Sequence, residues 1–501
     1  MASADRPEVT TTYGAVRGER EPVHNTAVFR GIPFAAPPFG ANRFKVPQPP
    51  AKWDGVRDAL VVGDAVPQPV VQIDSTGSDY FNPTKTGEDC LNLNVWTPDP
   101  GGAGLPVMVW IHGGGYVTGS GGAPIHDGAP FARDGVVYVS INYRMHLDGF
   151  VSLPGAPENR GLRDQVAALE WVRDNIAAFG GDPANVTIFG QSAGGVSVMH
   201  LLAMPSARGM FRRAIPQSGS TRVTGDTPFM DRVRNRLAEM LGVAATADGF
   251  SAVSMAKTLE MVMALGFEFL SPFFWGEESF RVSPYKAMID GDTVPADIDA
   301  CLRAGSADGV DVMAGCTRDE CTFIMEPFGL LKEVPDFFSD AALSAFGLTA
   351  SDLDVYKESS PDDALIGWPY GKAWTSWAFR EPAARLLDVH AARPGNTFAY
   401  EFSWASPTMP QLGSVHALEI PFVYDGLRPF VEQAPPGQNL LGDNPPQELA
   451  TRMHKAWIDF ATHGNPGWSA YDTDTRAFMN FDVTSEQSQD WAALDRSLLS
   501  R

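Results

Sequence analysis

The order of hydrophobic periodicities in this chain of 501 residues predicts an α/β protein, with a mostly parallel central sheet and helices on both faces. Three observations lead there. Val107–Ile111, Val136–Ile141 and Val186–Phe189 are short apolar, β-branched runs bounded by Gly and Pro, the pattern of strands buried on both sides. Between the second and third runs, Leu162, Val166, Leu169, Val172, Ile176 and Phe179 recur at gaps of three and four, one face of a helix that Gly180-Gly181 stops. Gly190 to Gly194 then joins the third run to an apolar helix over Ala193–Ala203.

The flanking segments follow. Thr10–Arg17 and Val28–Phe34 read as short extended stretches, followed by Pro-rich loops through Pro50. Leu91–Trp96 alternates apolar and polar residues, as a half-buried strand does. The region from about 226 to 380 is helical and loop-rich, with a strand-like Val310–Ala314 inside it. Thr397–Phe402 reads as a late strand and Glu448–His463 as a late helix. At roughly 150 residues per domain the length alone suggests about three domains. No composition shift marks a linker, however, and the expected arrangement is one catalytic domain over 1–501 with a helix-rich insertion at about 226–380.

Composition excludes several classes of function. With 44% hydrophobic and 11% aromatic residues the chain can bury a large core and is not disordered. Its net charge of −22 repels phosphate backbones and anionic membrane surfaces, so no nucleic-acid or membrane partner is expected. Four cysteines, Cys90, Cys301, Cys316 and Cys321, are too few for a disulfide framework, and none of the nine histidines clusters with them as a zinc site would need. Met1 to Thr10 is polar, with no apolar core for a signal peptide. The charge-free stretch Gly101 to His126 is too broken by Gly and Pro to be a membrane span. A soluble, cytoplasmic protein is expected.

The chemistry concentrates at three places. Gly190-Gln191-Ser192-Ala193-Gly194 lies on a strand–turn–helix junction with the spacing of a nucleophile elbow, which lifts the serine hydroxyl above the sheet edge beside the positive end of the following helix. His112-Gly113-Gly114-Gly115 follows the strand Val107–Ile111, and its glycines leave backbone N–H groups open to a carbonyl becoming an oxyanion. A serine needs a base, and the base an orienting acid, in the α/β-hydrolase order Ser, Asp or Glu, His. Downstream of Ser192, His200 sits on the elbow's own helix, while His454 and His463 belong to the late helix. His390 and His416 both remain open, with the loop position of His416 the better suited to a base at the sheet edge. Many carboxylates remain open as the acid.

From about Thr10 to Trp468 the chain resembles the type-B carboxylesterase/cholinesterase-like family. The resemblance is carried by Phe29-Arg30-Gly31-Ile32-Pro33-Phe34-Ala35, Glu88-Asp89-Cys90-Leu91-Asn92-Leu93-Asn94-Val95, the triple glycine, and Asn142-Tyr143-Arg144. It continues through Asn159-Arg160-Gly161-Leu162-Arg163-Asp164-Gln165, Phe179-Gly180-Gly181-Asp182-Pro183 and the elbow. It implies the α/β-hydrolase fold. Asp319-Glu320-Cys321 matches the family's acid motif, and Gly413, His416, Glu419 and Pro421 match its base motif. The resemblance therefore implies Ser192, Glu320 and His416 as the catalytic residues and oxyanion donors from Gly114, Gly115 and Ala193. The activity implied is that of a serine carboxylesterase on a small-molecule ester, with an amide, carbamate or aromatic diester as the alternative bond and a non-catalytic binding relative as a remoter one. No metal and no organic cofactor is required, and monomer and homo-oligomer are both open.

The chain also departs from the family. Cys321 stands where glycine is usual, and Gln191 where glutamate often precedes the nucleophile, which weakens the case for a cationic substrate. No cysteine precedes Cys90, so the bridge made by secreted members cannot form, in keeping with a reducing compartment. Ser218 reads as a buried, hydrogen-bonded serine, and Glu88, Asp89 and Asp164 as ion-pair or capping residues. Tyr116, Gln191 and the aromatic run Phe273-Phe274 are candidate pocket residues, with a packing role equally open for the aromatics.

Overall fold

The apolar runs become the middle of an 11-stranded sheet in the computed structural model, which describes residues 6–69, 82–358, 360, 364–433 and 439–499. Residues 1–5 of the polar N-terminal stretch lie outside the described residues. In chain order the strands are β1 (Glu19–Arg20), β2 (Ala27–Pro33), β3 (Asn92–Thr97), β4 (Leu105–Ile111), β5 (Val137–Ile141) and β6 (Gly181–Gln191). They continue with β7 (Arg213–Gln217), β8 (Asp311–Thr317), β9 (Thr397–Phe402), β10 (Phe478–Phe481) and β11 (Glu486–Ser488). Their spatial order is β11-β10-β9-β8-β7-β6-β4-β5-β3-β2-β1. Every pair from β10 across to β5 is parallel, and the pairs at both margins are antiparallel. The fold is therefore a mixed sheet with a parallel centre.

Strand alternation covers both faces. Trp110, Tyr138 and Phe189 project to one side and meet Phe131 and Tyr424, with Trp110 and Phe189 edge to face at 4.9 Å. The late helix Gln447–His463 closes that side, its Trp457 indole donating to Gln217 Oε1 at 3.0 Å. The opposite side carries α1 (Arg160–Asn175) and α2 (Ala193–Ala203), the latter buried at every position. The α1 periodicity extends through a 3-10 turn, Ile176–Phe179, and ends at Gly180 with φ 89°, a left-handed stop that glycine adopts without a Cβ clash.

Two early segments differ from the sequence reading. Thr10–Arg17 is the second half of a hairpin rather than one strand: Glu8–Thr10 and Ala15–Arg17 pair antiparallel around a turn closed by Thr11 N donating to Gly14 O at 3.0 Å. The alternating segment, β3, is buried throughout instead of on one face. Its polar positions are matched by partners: Asn94 accepts from Gly31 N and donates to Ser140 Oγ, and Asn92 Nδ2 donates to Asp64 O at 2.8 Å. A period of two thus marked strand geometry, while hydrogen bonding decided burial.

Between about 226 and 380 helices leave and rejoin the sheet around β8. Thr227–Leu241, Ala247–Ser251 and Met255–Phe269 begin at Asp226, Thr246 and Ser254, each side chain accepting from a backbone N–H of the first turn. The region ends in a π-helical turn, Ser376–Arg380, that carries Phe379 to the His416 ring at 5.2 Å. Asp164 reads correctly as an ion-pair residue: it takes both Arg144 Nε at 2.8 Å and a terminal Arg144 nitrogen at 2.7 Å, fully buried. Among the described residues, no helix is long and apolar enough to cross a membrane.

Candidate active site

The site lies beyond the C-terminal ends of neighbouring parallel strands. Ser192 follows β6, Ser218 follows β7, Glu320 comes just after β8, and His416 lies in the chain beyond β9. Open α/β sheets place their sites at this edge.

At the elbow, Ser192 has φ 58° and ψ −123°, a conformation that ordinary residues avoid and that a surrounding framework must hold. That framework is close packing. A Cβ on Gly194 would stand 1.9 Å from the Ile111 carbonyl oxygen, so only glycine lets α2 start so near β4. Ser192 N donates to Gln217 O at 3.0 Å, tying the turn to β7.

The glycine loop is anchored through its carbonyls. The Tyr143 hydroxyl donates to His112 O at 2.7 Å, and His112 Nδ1 donates to Gly113 O at 2.8 Å. Val117 N and Thr118 N donate to Gly114 O, Ser283 Oγ to Gly115 O at 2.6 Å, and His146 N to Tyr116 O at 2.7 Å. Every carbonyl from His112 to Tyr116 thus accepts a hydrogen bond, those of His112, Gly115 and Tyr116 from other segments of the chain. Among the described residues the Gly114 and Gly115 N–H groups donate to nothing, and Ala193 N–H, at the first turn of α2, has no partner within its helix. Gly114 has φ 108°, and a Cβ there would sit 2.0 Å from Thr118 O. Burial lowers the His112 pKa to about 4, so its ring is neutral beside these donors.

Glu320 is buried, with both oxygens engaged. Oε1 accepts from Ser218 Oγ at 2.6 Å and from Thr317 N at 2.7 Å, and Oε2 accepts from His416 Nδ1. The His416 loop is clamped to the Glu320 turn, with Asp319 N donating to Ser414 O at 2.9 Å and Ser414 N to Asp319 Oδ2 at 3.0 Å. Burial disfavours the imidazolium, yet the charge of Glu320, its hydrogen bond and the charge of Glu419 outweigh burial and raise the His416 pKa above 6.5. Burial, reinforced by the Glu320 charge, pushes the Glu419 carboxyl up. Among the described residues Ser192 makes no hydrogen bond to His416; Gln191 Nε2 donates to His416 Nε2 at 3.3 Å. Such bonds often tighten only when substrate is bound.

Ser192, Gly114, Gly115, Gln191 and His416 line one cavity of about 330 Å³, and Ala193 and Tyr116 border a smaller recess of about 30 Å³ that also opens on Ser192. Tyr116 is mostly committed to packing: its ring stacks on Phe150 at 3.9 Å and its hydroxyl meets Ser197 Oγ at 3.0 Å. The expectation for Phe273 and Phe274 is overturned. They are 83% and 54% exposed, pack edge to face on each other, and line neither chamber, because the short helix Pro272–Trp275 turns its Trp275 inward and these two outward. His390, left open by the sequence, is held by Thr397 Oγ1 and Val310 O at the opposite edge of the sheet. Cys321 has φ −92°, open to any residue, so the usual glycine is not needed there. Sequence reasoning quoted Tyr143 within Asn142-Tyr143-Arg144 without giving it a role at the site, and it missed Ser283 and Phe379, which carry no motif of their own.

The family model described as carboxylesterase family matches residues 5–497. The chain belongs to the carboxylesterase family. It is 35% identical over 494 residues to para-nitrobenzyl esterase of Bacillus subtilis (strain 168), spanning 95% of this chain and 94% of that one. It is 34% identical over 510 residues to phenmedipham hydrolase of Pseudarthrobacter oxydans, spanning 98% of each. The structure of a Geobacillus stearothermophilus carboxylesterase superposes with a TM-score of 0.85 at 33% identity, covering 98% of this chain and 99% of that one. The carboxylesterase thus has the α/β-hydrolase fold and is a carboxylic ester hydrolase acting on small-molecule esters.

Proposed function

We propose that this carboxylesterase works through Ser192 as nucleophile, His416 as base and acid, and Glu320 as the group that orients and stabilises the imidazolium. The observation that carries the reading is the Glu320–His416 hydrogen bond on the wall of the cavity into which the strained Ser192 opens. His416 Nε2 takes the Ser192 proton as Oγ bonds to the ester carbon, and the carbonyl oxygen becomes an oxyanion on the N–H groups of Gly114, Gly115 and Ala193. The carbon–oxygen bond to the alcohol then breaks, and the alcohol leaves with the proton from His416. Water repeats the sequence on the acyl-enzyme and releases the acid.

A fluorophosphonate probe tests this. One adduct on Ser192 by peptide mass analysis, absent from Ser192→Ala together with p-nitrophenyl acetate hydrolysis, is the expected result; an adduct elsewhere, or undiminished hydrolysis by the variant, overturns it. Hydrolysis of phenmedipham, the molecule one relative is named for, is the second activity to assay. A cytoplasmic location belongs to the same proposal, supported by Cys90, Cys301, Cys316 and Cys321 all being free and buried thiols. Finding the protein in the culture medium would overturn the assignment of compartment.

A further inference from the structure

We infer that this carboxylesterase has a second ligand site, at the edge of the sheet opposite Ser192, which takes an organic anion with an apolar body, the class of a medium-chain carboxylate. The inference goes beyond the hydrolytic site and does not depend on which residues carry the reaction.

The cavity holds about 560 Å³, against about 330 Å³ for the one beside Ser192. It lies between the loop that enters β7, residues 204–212, and the loop that enters β8, residues 304–310. Those are the N-terminal ends of neighbouring parallel strands, whereas Ser192, Glu320 and His416 all follow C-terminal ends. The helix α2 spans the distance, since it starts at the elbow and ends with Leu201 and Leu202 in the cavity wall. At 1.5 Å per residue it sets that wall about 15 Å from Ser192. The two cavities are separate sites.

The wall divides by polarity. Leu201, Leu202, Phe211 and Ala307 are buried and apolar, while Arg208 and Arg212 are exposed. Arg208 reaches from the first loop to the second, where it donates to Gly305 O at 3.1 Å. The Arg212 side chain makes no hydrogen bond or ion pair among the described residues, although the chain has 60 acidic against 38 basic residues from which to draw a partner. Its neighbour Arg213 is paired with Asp311 and Asn185. Asp308 also lines the cavity, but Arg393 already takes its carboxylate through two bonds of 2.9 and 2.6 Å. The N–H of Gly209 and the hydroxyl of Ser306, two further lining residues, have no partner among the described residues.

This set of groups selects its ligand. Guanidinium groups with free N–H donors suit a carboxylate or another oxyanion, and the one carboxylate in the described wall is already neutralised. A cation meets two like charges, and a neutral molecule leaves both of them unanswered. An inorganic ion would leave the leucines and Phe211 wet, whereas an alkyl chain or ring carried by the same anion takes them out of water. Ester hydrolysis releases a carboxylate, so an acid product of the enzyme's own reaction falls within the class.

Octanoate is the probe, with 1-octanol and inorganic phosphate as the two halves of its chemistry. Calorimetry on the whole enzyme is expected to show saturable octanoate binding, weakened by added sodium chloride and at least about tenfold tighter than that of either half. Hydrogen–deuterium exchange is expected to slow in residues 204–212 and 304–310. Arg212→Gln should weaken octanoate about fivefold, and Arg208→Gln combined with it about 20-fold, with p-nitrophenyl acetate hydrolysis unchanged. The single variant alters an exposed side chain that holds no other, so it decides the matter even where the double variant fails to fold. Absence of saturable binding, undiminished affinity in Arg212→Gln, or octanol or phosphate binding as tightly as octanoate overturns the proposal. Exchange slowed only around Gly190–Gly194 and the glycine loop also overturns it, because octanoate would then occupy the catalytic cavity alone.

Discussion

Ser218 Oγ donates a 2.6 Å hydrogen bond to Oε1 of Glu320, the carboxylate whose other oxygen holds His416. The serine is buried and lines neither chamber, so it acts on the reaction through Glu320 alone. A hydrogen bond to a charged group contributes about 1.5–3 kcal/mol. Ser218→Ala is expected to lower kcat by about tenfold and leave KM nearly unchanged. Steady-state kinetics on one short-chain ester checks the split.

The pH profile follows from the sign of the His416 shift. As the proposed base His416 is active as neutral imidazole, and its pKa is raised, so kcat/KM should fall with acid through a midpoint above 6.5. Gln191→Glu would place a carboxylate beside His416 Nε2 and favour the imidazolium further. The acid limb should move to higher pH, with activity lost near neutrality and recovered in alkaline buffer. Glu320→Gln removes the charge that raises the pKa; its limb should move down while kcat falls on the order of 10⁴-fold.

Ser283 supports the glycine loop, the proposed oxyanion site, from a distant segment of the chain through Gly115 O. Ser283→Ala releases that carbonyl and loosens the adjoining donors. The expected loss in kcat is about 10-fold, short of the on the order of 10²–10³-fold that follows removal of a donor itself. Gly114→Ala, which drives a Cβ into Thr118 O, should approach the larger figure. Comparing the two variants on one substrate tests the ranking.

Asp164→Asn leaves Arg144 buried without its counter-charge. The expected destabilisation is about 3–5 kcal/mol, read from the urea unfolding midpoint.

Phe273→Ser and Phe274→Ser, by contrast, remove exposed rings outside both chambers. Stability should change by less than about 0.5 kcal/mol, and kcat/KM for p-nitrophenyl acetate should stay at the wild-type value.

Much of this architecture was legible in the chain because its signals are local. Ala193–Ala203 and Thr397–Phe402 have the predicted limits, since helix and strand periodicities repeat within a few residues. The elbow was legible too: Gly194 must approach Ile111 O, and that need is written at one position. Resemblance supplied what periodicity could not, including Glu320 among many carboxylates.

The sequence by itself determined the class of the fold, the strand–turn–helix setting of Ser192 and the open N–H groups of the glycine loop. Only the tertiary structure decided which distant groups meet. Because β6, β7, β8 and β9 lie side by side, the segments after them bring Ser192, Ser218, Glu320 and His416 to one edge although they are far apart in the chain. It also decided that Phe273 and Phe274 face outward, that Phe379 and Val282 stand between a large chamber and a small one, and that Ser283 holds Gly115. These outcomes depend on contacts between elements whose relative placement is set by packing of the whole sheet and its helices, and no short window of residues encodes them.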